Sequence, residues 1–368
     1  MVSIKEKEIK GKKYIYVSTS ASYKGERKDF EKYIGPKDME DLERKKKFYS
    51  NILRMKRQLY LTYLEAKSIN LKYIPNGYAY LLTLVKRQYN KFLSDLYPSE
   101  LKKYKEEFEV RYVHHTTAIE GNTLSLKDAS LVLAEGLSPS SKELREVHEV
   151  ENYKKVLDYV EGYTGDVNLE FMKKLHELIQ RNIDENTAGD LRKIPIGIRG
   201  SRWEPPPAPV LKDEISRLLD WYKEKKEELH PLELGGIFHH EFLKIHPFVD
   251  GNGRVARELL NYILMKNDYP RLIIPVEERE KYLNKLEKAD EGDVEPLLEF
   301  FASLIIHDYL NVITGIIKDY SDKIKIDIKE LDEEEVKEMI EVARWNTKLV
   351  DEFLDQLPEE ERNVLNNI

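Results

Sequence analysis

The chain has 368 residues, 41% apolar and 35% charged, with 60 basic against 68 acidic side chains and a formal net charge of −8. That is enough for two or three domains with a sizeable core, and it excludes bulk disorder and a chain-wide basic footprint for nucleic acid. There is no cysteine, which excludes disulfides, thiolate zinc sites, cysteine-ligated iron–sulfur clusters and cysteine nucleophiles.

In chain order, β-branched and aromatic residues at Tyr14–Ser20 lie between Ser3–Ile9 and Phe30–Ile34, with turn residues at Gly11 and Lys24-Gly25. This predicts a three-stranded antiparallel β-meander ending at Gly35-Pro36. Helical spacing follows over Asp38–Lys67, Tyr78–Leu93 and Leu101–Ile119, where Gly121-Asn122 stops the last helix. Shorter helices are predicted at Leu126–Glu135, Ser141–Glu161 and Leu169–Asn182. The stretch Ile194–Val210 breaks the pattern. Ile194, Ile196 and Ile198 alternate, Gly200-Ser201 can turn, and Trp203 precedes a proline run, which predicts a β-hairpin followed by a rigid extended segment.

Helices resume at Lys212–Glu228, Leu232–Ile245, Arg254–Met265, Glu280–Lys288 and Val294–Tyr320. The tail from Ser321 reads as acidic and helical, without a clear core signal. The most apolar window, Leu297–Ile317, is interrupted by Glu299, His307, Asp308 and Asn311, so it reads as a buried helix rather than a membrane span. The start has no apolar stretch of signal-peptide length. The expectation is a cytoplasmic protein without membrane or nucleic-acid partners.

The segment that carries chemistry is Ile245–Leu260, IHPFVDGNGRVARELL. A helix ends at His246-Pro247, and a loop delivers Asp250-Gly251-Asn252-Gly253 to the start of another helix near Arg254. Two glycines around an asparagine at a helix start expose backbone N–H groups to an anion, and the helix dipole assists. Arg254 and Arg257 are three apart and share a face, giving a grip with room for more than one phosphate. Asp250 is a hard oxygen ligand suited to Mg²⁺, and His246 can accept a proton near neutrality. Together these groups describe phosphoryl or nucleotidyl transfer.

The string HPFVDGNGR-x-x-R resembles the signature of the Fic (filamentation induced by cAMP) family, HPFx[DE]GNGRxxR, at every fixed position. WEPPPAP, LLDWY and LHPLELGGIFHHEFLKIHPF ahead of it are similar in order to that family's flap, following helix and motif helix. YLNKLEKADEGDVEPLLEFF behind it is similar to the segment that closes the nucleotide pocket. The resemblance spans roughly Arg111–Leu310. It implies a mainly α Fic fold with a β-hairpin flap, beside a small N-terminal antiparallel β-meander. The implied layout is a β-meander module at 1–36, a helical lead-in at 37–110, a catalytic core with an inhibitory helix at 111–310, and a helical tail at 311–368.

The function the resemblance implies is transfer of AMP from ATP to a Ser, Thr or Tyr hydroxyl of a target protein, with release of pyrophosphate. His246 would be the base and Asp250 the ligand of Mg²⁺ or Mn²⁺. Gly251, Asn252 and Gly253 would form the anion hole, with the Asn252 side chain near the α-phosphate. Arg254 would contact the β-phosphate and Arg257 the γ-phosphate. Glycine rather than lysine at 253 argues against ATP as a phosphate donor. TTAIEGN (Thr116–Asn122) fits the inhibitory pattern [ST]xxxE[GN] through Thr116, Glu120 and Gly121. A Glu120 carboxylate paired with Arg257 would occupy the γ-phosphate's place and make the enzyme autoinhibited.

Such a glutamate also serves AMP removal in some family members, so a de-AMPylating or bifunctional enzyme is an alternative reading, as is a weakly active nucleotide-binding regulatory module. Tyr282, Leu283 and Asp290 fall where the family places its adenine pocket, with Leu283 and Asp290 departing from its pattern. Ile196, Ile198 and Trp203 lie in the flap that would dock an extended target segment over His246. Homodimer formation is a further expectation from the resemblance. His114-His115 and His239-His240 are read as structural, the latter pair bracing His246. The runs Glu43–Lys47 and Glu333–Glu335 are read as solvated helix faces.

Overall fold

The computed structural model describes residues 2–139, 142–198, 201–323 and 333–359. They divide into two compact units, 1–70 with 75–87 and 311–368, and 71–74 with 88–310.

The first unit opens with β1 (Ser3–Ile9), β2 (Lys12–Tyr23) and β3 (Glu26–Pro36), a three-stranded sheet in the order β1-β2-β3. Both pairings are antiparallel, with Ser3 opposite Ser18 and Tyr23 opposite Glu26. The two-residue connections Lys10-Gly11 and Lys24-Gly25 have positive φ at every position. That is the mirror-image turn whose twist matches paired strands. Ile15, Val17 and Ala21 alternate onto one face of the sheet. They pack with Phe48, Tyr49, Ile52 and Leu53 of α1 (Leu42–Lys67), which begins four residues later than its predicted start at Asp38.

The tail does have a core signal, contrary to the sequence reading. In α12 (Glu333–Leu354), Val342 is buried in this same cluster and the Trp345 ring stacks on Tyr60 at 6.2 Å. The run Glu333–Glu335 is not simply a solvated face. Glu335 is buried and takes two bonds from Arg44, at 2.9 and 3.0 Å, while Glu338 takes Lys32 and Lys56. Acidic residues at helical spacing conceal a buried stripe because their partners come from elements far away in sequence. Residues 324–332 and 360–368 of the predicted tail lie outside the described residues.

α2 (Tyr78–Asp95) leads into the second unit, which holds α3 (Pro98–Ala118), α4 (Leu126–Ser130), α5 (Leu144–Gly162), α6 (Leu169–Gln180), α7 (Leu211–Lys225), α8 (Pro231–Ile245), α9 (Asn252–Lys266) and α10 (Arg279–Asp290). α11 (Glu295–Lys323) begins in this unit. α4 was predicted to run to Glu135. Instead Leu131–Glu135 form a π-helical turn that Gly136, at φ 66°, terminates. Ser141, the predicted start of α5, lies outside the described residues.

Val150, Tyr153, Phe171, Leu175, Phe238, Phe242, Val255 and Leu259 belong to one buried core that draws on α5, α6, α8 and α9. The pair Gly235-Gly236 brings α8 close to its neighbours. A Cβ at 235 would stand 2.8 Å from Leu260, and one at 236 would stand 2.3 Å from Leu298. Among the described residues no helix is long and apolar enough to cross a membrane.

The hairpin expected at Ile194–Trp203 is not formed as a strand pair among the described residues, and residues 199 and 200, including its turn glycine, lie outside them. Among the described residues the Ser201 N–H bonds the Ile198 carbonyl at 3.1 Å, and the Trp203 N–H bonds the Ser201 hydroxyl at 3.0 Å. Pro195 and Pro205–Pro207 carry no N–H to donate, and the carbonyls of Ile194 and Pro206 are instead taken by Arg192.

Candidate active site

His246 is the C-cap of α8, in left-handed backbone conformation (φ 49°, ψ 59°). Its own N–H still closes the helix onto the Phe242 carbonyl at 3.0 Å. Nδ1 donates to the Leu243 carbonyl at 3.2 Å, so Nε2 keeps its lone pair. Burial pushes the imidazole pKa below its usual value, and the nearby Arg192 charge acts in the same direction, outweighing the Leu243 carbonyl, Glu120 and Asp250. The ring is therefore a neutral base at neutral pH.

The loop after it folds on its own side chains. Asn252 accepts from the Phe248 N–H at 3.0 Å and donates to the Phe248 carbonyl at 2.8 Å. Its buried amide is thus committed to stapling the turn, a role the sequence reading did not anticipate. Gly251, at φ 79°, is the N-cap of α9. The first helical bond runs from the Val255 N–H to the Gly251 carbonyl, so the N–H groups of Asn252, Gly253 and Arg254 have no helical acceptor. α9 begins at Asn252, two residues earlier than predicted, which places Gly253 within its first turn.

Asp250 is exposed at the loop mouth. Its Oδ1 accepts from the Gly251 N–H at 2.7 Å, and its Oδ2 meets Arg145 at 3.0 Å and Arg254 at 3.5 Å. Loss of part of its hydration at the loop mouth would raise this carboxyl, but the Arg254 charge and the Gly251 N–H outweigh that and hold it below its usual range. A lone hard carboxylate at an open mouth fits Mg²⁺ or Mn²⁺ that completes its shell with water and substrate phosphates. Among the described residues no cluster of three or more metal-ligating side chains exists.

Arg254 and Arg257 are both buried, at 2% and 3% exposure. Arg254 reaches Glu149 at 3.4 Å. Arg257 donates to the Thr116 hydroxyl at 2.8 Å and carbonyl at 2.7 Å, and pairs with Glu120 Oε1 at 2.8 Å. Burial would lower its pKa, yet the Glu120 charge raises it further above its usual value. Glu120 leaves the end of α3 in a turn that Gly121 completes at φ 105°. Its carboxylate lies directly over Gly253, where a Cβ would fall 2.2 Å from Oε1. Glu120, Thr116, Arg257 and Gly253 thus meet at one point, beside the loop that bears His246.

Other predicted positions fare differently. Tyr282 is buried, and its hydroxyl bonds His239 Nε2 at 2.7 Å. Asp290 accepts from His240 Nε2 at 2.9 Å. So His239 and His240 serve α10 and do not brace His246. Leu283 is 41% exposed and is not core. His114 and His115 have ring centroids 5.0 Å apart, with His115 Nδ1 accepting from the Val276 N–H. Ile196 and Ile198 are half-buried, and Trp203 Nε1 donates to the Lys244 carbonyl at 3.0 Å.

Three contributors were missed. His176 donates to the Asp250 carbonyl at 3.0 Å, accepts from the Gly189 N–H and stacks on Phe248 at 3.9 Å. Glu149 joins Arg254 to Asn122. Arg192 holds the His246 carbonyl at 2.8 Å. Only His176 left a sequence signal, a lone histidine at helical spacing among Met172, Leu175 and Ile179.

Comparison with known proteins agrees with this architecture. The sequence model described as the Fic/DOC family matches residues 166–264. Fold and site together define a protein with a Fic-like helical core, a part of which is similar to the Fic/DOC family. The chain is 31% identical over 209 residues to the protein adenylyltransferase Fic of Drosophila willistoni, covering 55% of this chain and 41% of that one. It is 31% identical over 208 residues to the protein adenylyltransferase fic-1 of Caenorhabditis elegans, with the same coverage. It therefore spans about two fifths of the length of these relatives. Among solved structures, it superposes on C. elegans Fic-1 with a TM-score of 0.59 at 26% identity, covering 74% of this chain and 78% of that one. On a Fic-domain-containing signalling protein from Bacteroides thetaiotaomicron the TM-score is 0.56 at 25% identity, covering 61% and 94%.

Proposed function

We propose that the protein is an autoinhibited adenylyltransferase that moves AMP from ATP to a hydroxyl side chain of a target protein. The observation that carries this reading is the Glu120–Arg257 pair over Gly253, at 2.8 Å, beside a helix N-terminus and a neutral imidazole. The curated relatives named as protein adenylyltransferases support it.

In this mechanism His246 Nε2 takes the proton of the target hydroxyl, and its Nδ1–H stays on the Leu243 carbonyl. The free N–H groups at the start of α9 bind phosphate oxygens, with Arg254 and Arg257 neutralising the polyphosphate. Mg²⁺ or Mn²⁺, held by Asp250, would supply charge neutralisation on those phosphates when bound. Glu120 occupies the Arg257 guanidinium and the space over Gly253, so ATP binds poorly or out of line until that carboxylate leaves. Tyr282, Leu283 and Asp290 as the adenine pocket, and Ile196, Ile198 and Trp203 as the target-docking segment, belong to the same proposal.

The test is incubation of wild type and Glu120→Gly with labelled ATP and a cell lysate. Glu120→Gly should incorporate at least about tenfold more label, the equivalent of about 1.4 kcal/mol. Glu120→Gly combined with His246→Ala should bind ATP and transfer none. No gain from Glu120→Gly, or transfer that survives His246→Ala, refutes the reading. If the Glu120 variant instead loses the ability to strip AMP from a modified protein, the reverse activity is the correct one.

A further inference from the structure

Arg192 is 3% exposed, and every acceptor it holds is a backbone carbonyl. Nε donates to His246 at 2.8 Å, Nη1 to Ile194 at 3.1 Å, and Nη2 to Pro206 and, at 3.4 Å, to Ile245. Its own backbone N–H donates to the Pro247 carbonyl at 2.9 Å. Among the described residues, one residue therefore touches three consecutive carbonyls of the turn that carries His246, and those of Ile194 and Pro206.

We infer that Arg192 is a positioning residue, whose guanidinium fixes the His246 turn and holds Ile194 and Pro206 in register with it. The inference rests on the reading of His246 as the base.

The physical need is clear. A non-glycine residue at φ 49° is in a conformation that persists only where its surroundings over-determine it. Glycine would relieve that strain but would delete the imidazole. Bonds to the carbonyls at 245, 246 and 247 supply the constraint instead. A rigid planar fork with five donors can serve two chain segments at once, which a lysine ammonium on a flexible stem cannot. The Trp203 Nε1 bond to the Lys244 carbonyl ties the same stretch to the same helix end, two residues before His246. Displacement of Ile194, Trp203 or Pro206 is thus transmitted to the backbone beside His246 by two separate tethers.

The charge of Arg192 contributes as well. Burial lowers the imidazole pKa most, and Arg192 lowers it further, against the Leu243 carbonyl, Glu120 and Asp250, which raise it. Removing the guanidinium takes away the one cation among these neighbours.

The decisive experiment places Arg192→Met and Arg192→Lys in the Glu120→Gly protein. Three quantities are read: affinity for Mg²⁺ and a non-hydrolysable ATP analogue by calorimetry, kcat for AMP transfer, and the His246 imidazole titration by NMR, assigned with His246→Ala. Arg192→Met should leave analogue affinity within about twofold and lower kcat by at least about thirtyfold, a loss of orientation rather than of binding. Its His246 titration should move upward, and Arg192→Lys should recover part of both changes. An unchanged His246 titration in Arg192→Met, or losses of kcat and analogue affinity in equal proportion, would overturn the inference. If Arg192→Met does not fold, Arg192→Lys alone decides, since it must lower kcat without lowering affinity. Should Glu120→Gly itself transfer no AMP, the proposed chemistry falls, while the His246 titration still decides the place of Arg192.

Discussion

At the residue scale, the site is a set of groups whose environments push them into their working states. His246 is held neutral by burial and by Arg192. A depressed imidazole pKa keeps the base form fully populated at neutrality and loses it only as pH falls through that lowered value. The acid limb of kcat/KM for transfer by Glu120→Gly should therefore lie below the ordinary histidine value near 6.5. A pH–rate profile checks this, and a limb at or above the ordinary value would mean that another group titrates. Glu120 and Arg257 illustrate a different balance. Their pair is buried on the arginine side and open on the carboxylate side, at 4% and 38% exposure. Arg257 also donates to Thr116 twice, so under the proposed release of Glu120 its guanidinium would keep two hydrogen-bond acceptors. That asymmetry makes Glu120 suited to be the movable partner.

At the element scale, α3 is pinned to α9 well before it reaches Glu120. The Tyr112 hydroxyl donates to Glu258 at 2.9 Å and accepts from Asn261 at 2.9 Å, and Arg271 pairs with the same fully buried Glu258. Breaking one side of such a network leaves an uncompensated charge. Arg271→Met should lower unfolding free energy by roughly 3–5 kcal/mol in urea melts. A loss below about 1 kcal/mol would show that water or rearrangement compensates. The same pinning limits what regulation can move. With Tyr112 and Thr116 fixed against α9, the part left to move is the turn that follows α3, Ile119–Gly121. Even there Arg279 holds the Ile119 carbonyl at 2.7 Å. The proline-rich segment teaches the complementary lesson. Alternating isoleucines predicted a ladder, but among the described residues no strand pair forms, Pro195 has no N–H to donate, and Arg192 takes the carbonyls of Ile194 and Pro206.

At the scale of the whole molecule, stability should depend on histidines that the fold buries neutral. Burial takes His176 down to about 4 and His239 down to about 3. In the unfolded chain both return to about 6.5. Because the folded pKa is depressed, this contribution is complete above about 6.5 and is lost as pH falls from there toward the folded values. His176 alone accounts for on the order of 3 kcal/mol across that window. Urea melts between pH 7.5 and 4.5 should show stability falling on the acid side, with a smaller fall in His176→Gln. Equal slopes for the two proteins would remove His176 from the account. The two compact units also divide the work differently from what sequence order suggests. A tail helix more than 300 residues from the sheet supplies Val342 and Trp345 to the core of β2, β3 and α1. Sequence distance alone gives no hint of this.

What the sequence determined by itself is local. Lys-Gly turns flanked by alternating apolar residues define the meander, and helical spacing with glycine and proline stops defines most helices, because both signals act over a few residues. The loop His246–Arg257 was legible for the same reason: its groups are contiguous, and their chemistry follows from residue type. Tertiary structure alone decided the rest. Arg192, His176 and Glu149 act by holding atoms 54, 74 and 105 positions away, those of His246, Asp250 and Arg254. The buried acids of α12 find their cations on α1 and β3. No short pattern encodes such partners, since a buried charge or an Asn amide gains its meaning from whichever backbone the fold brings beside it.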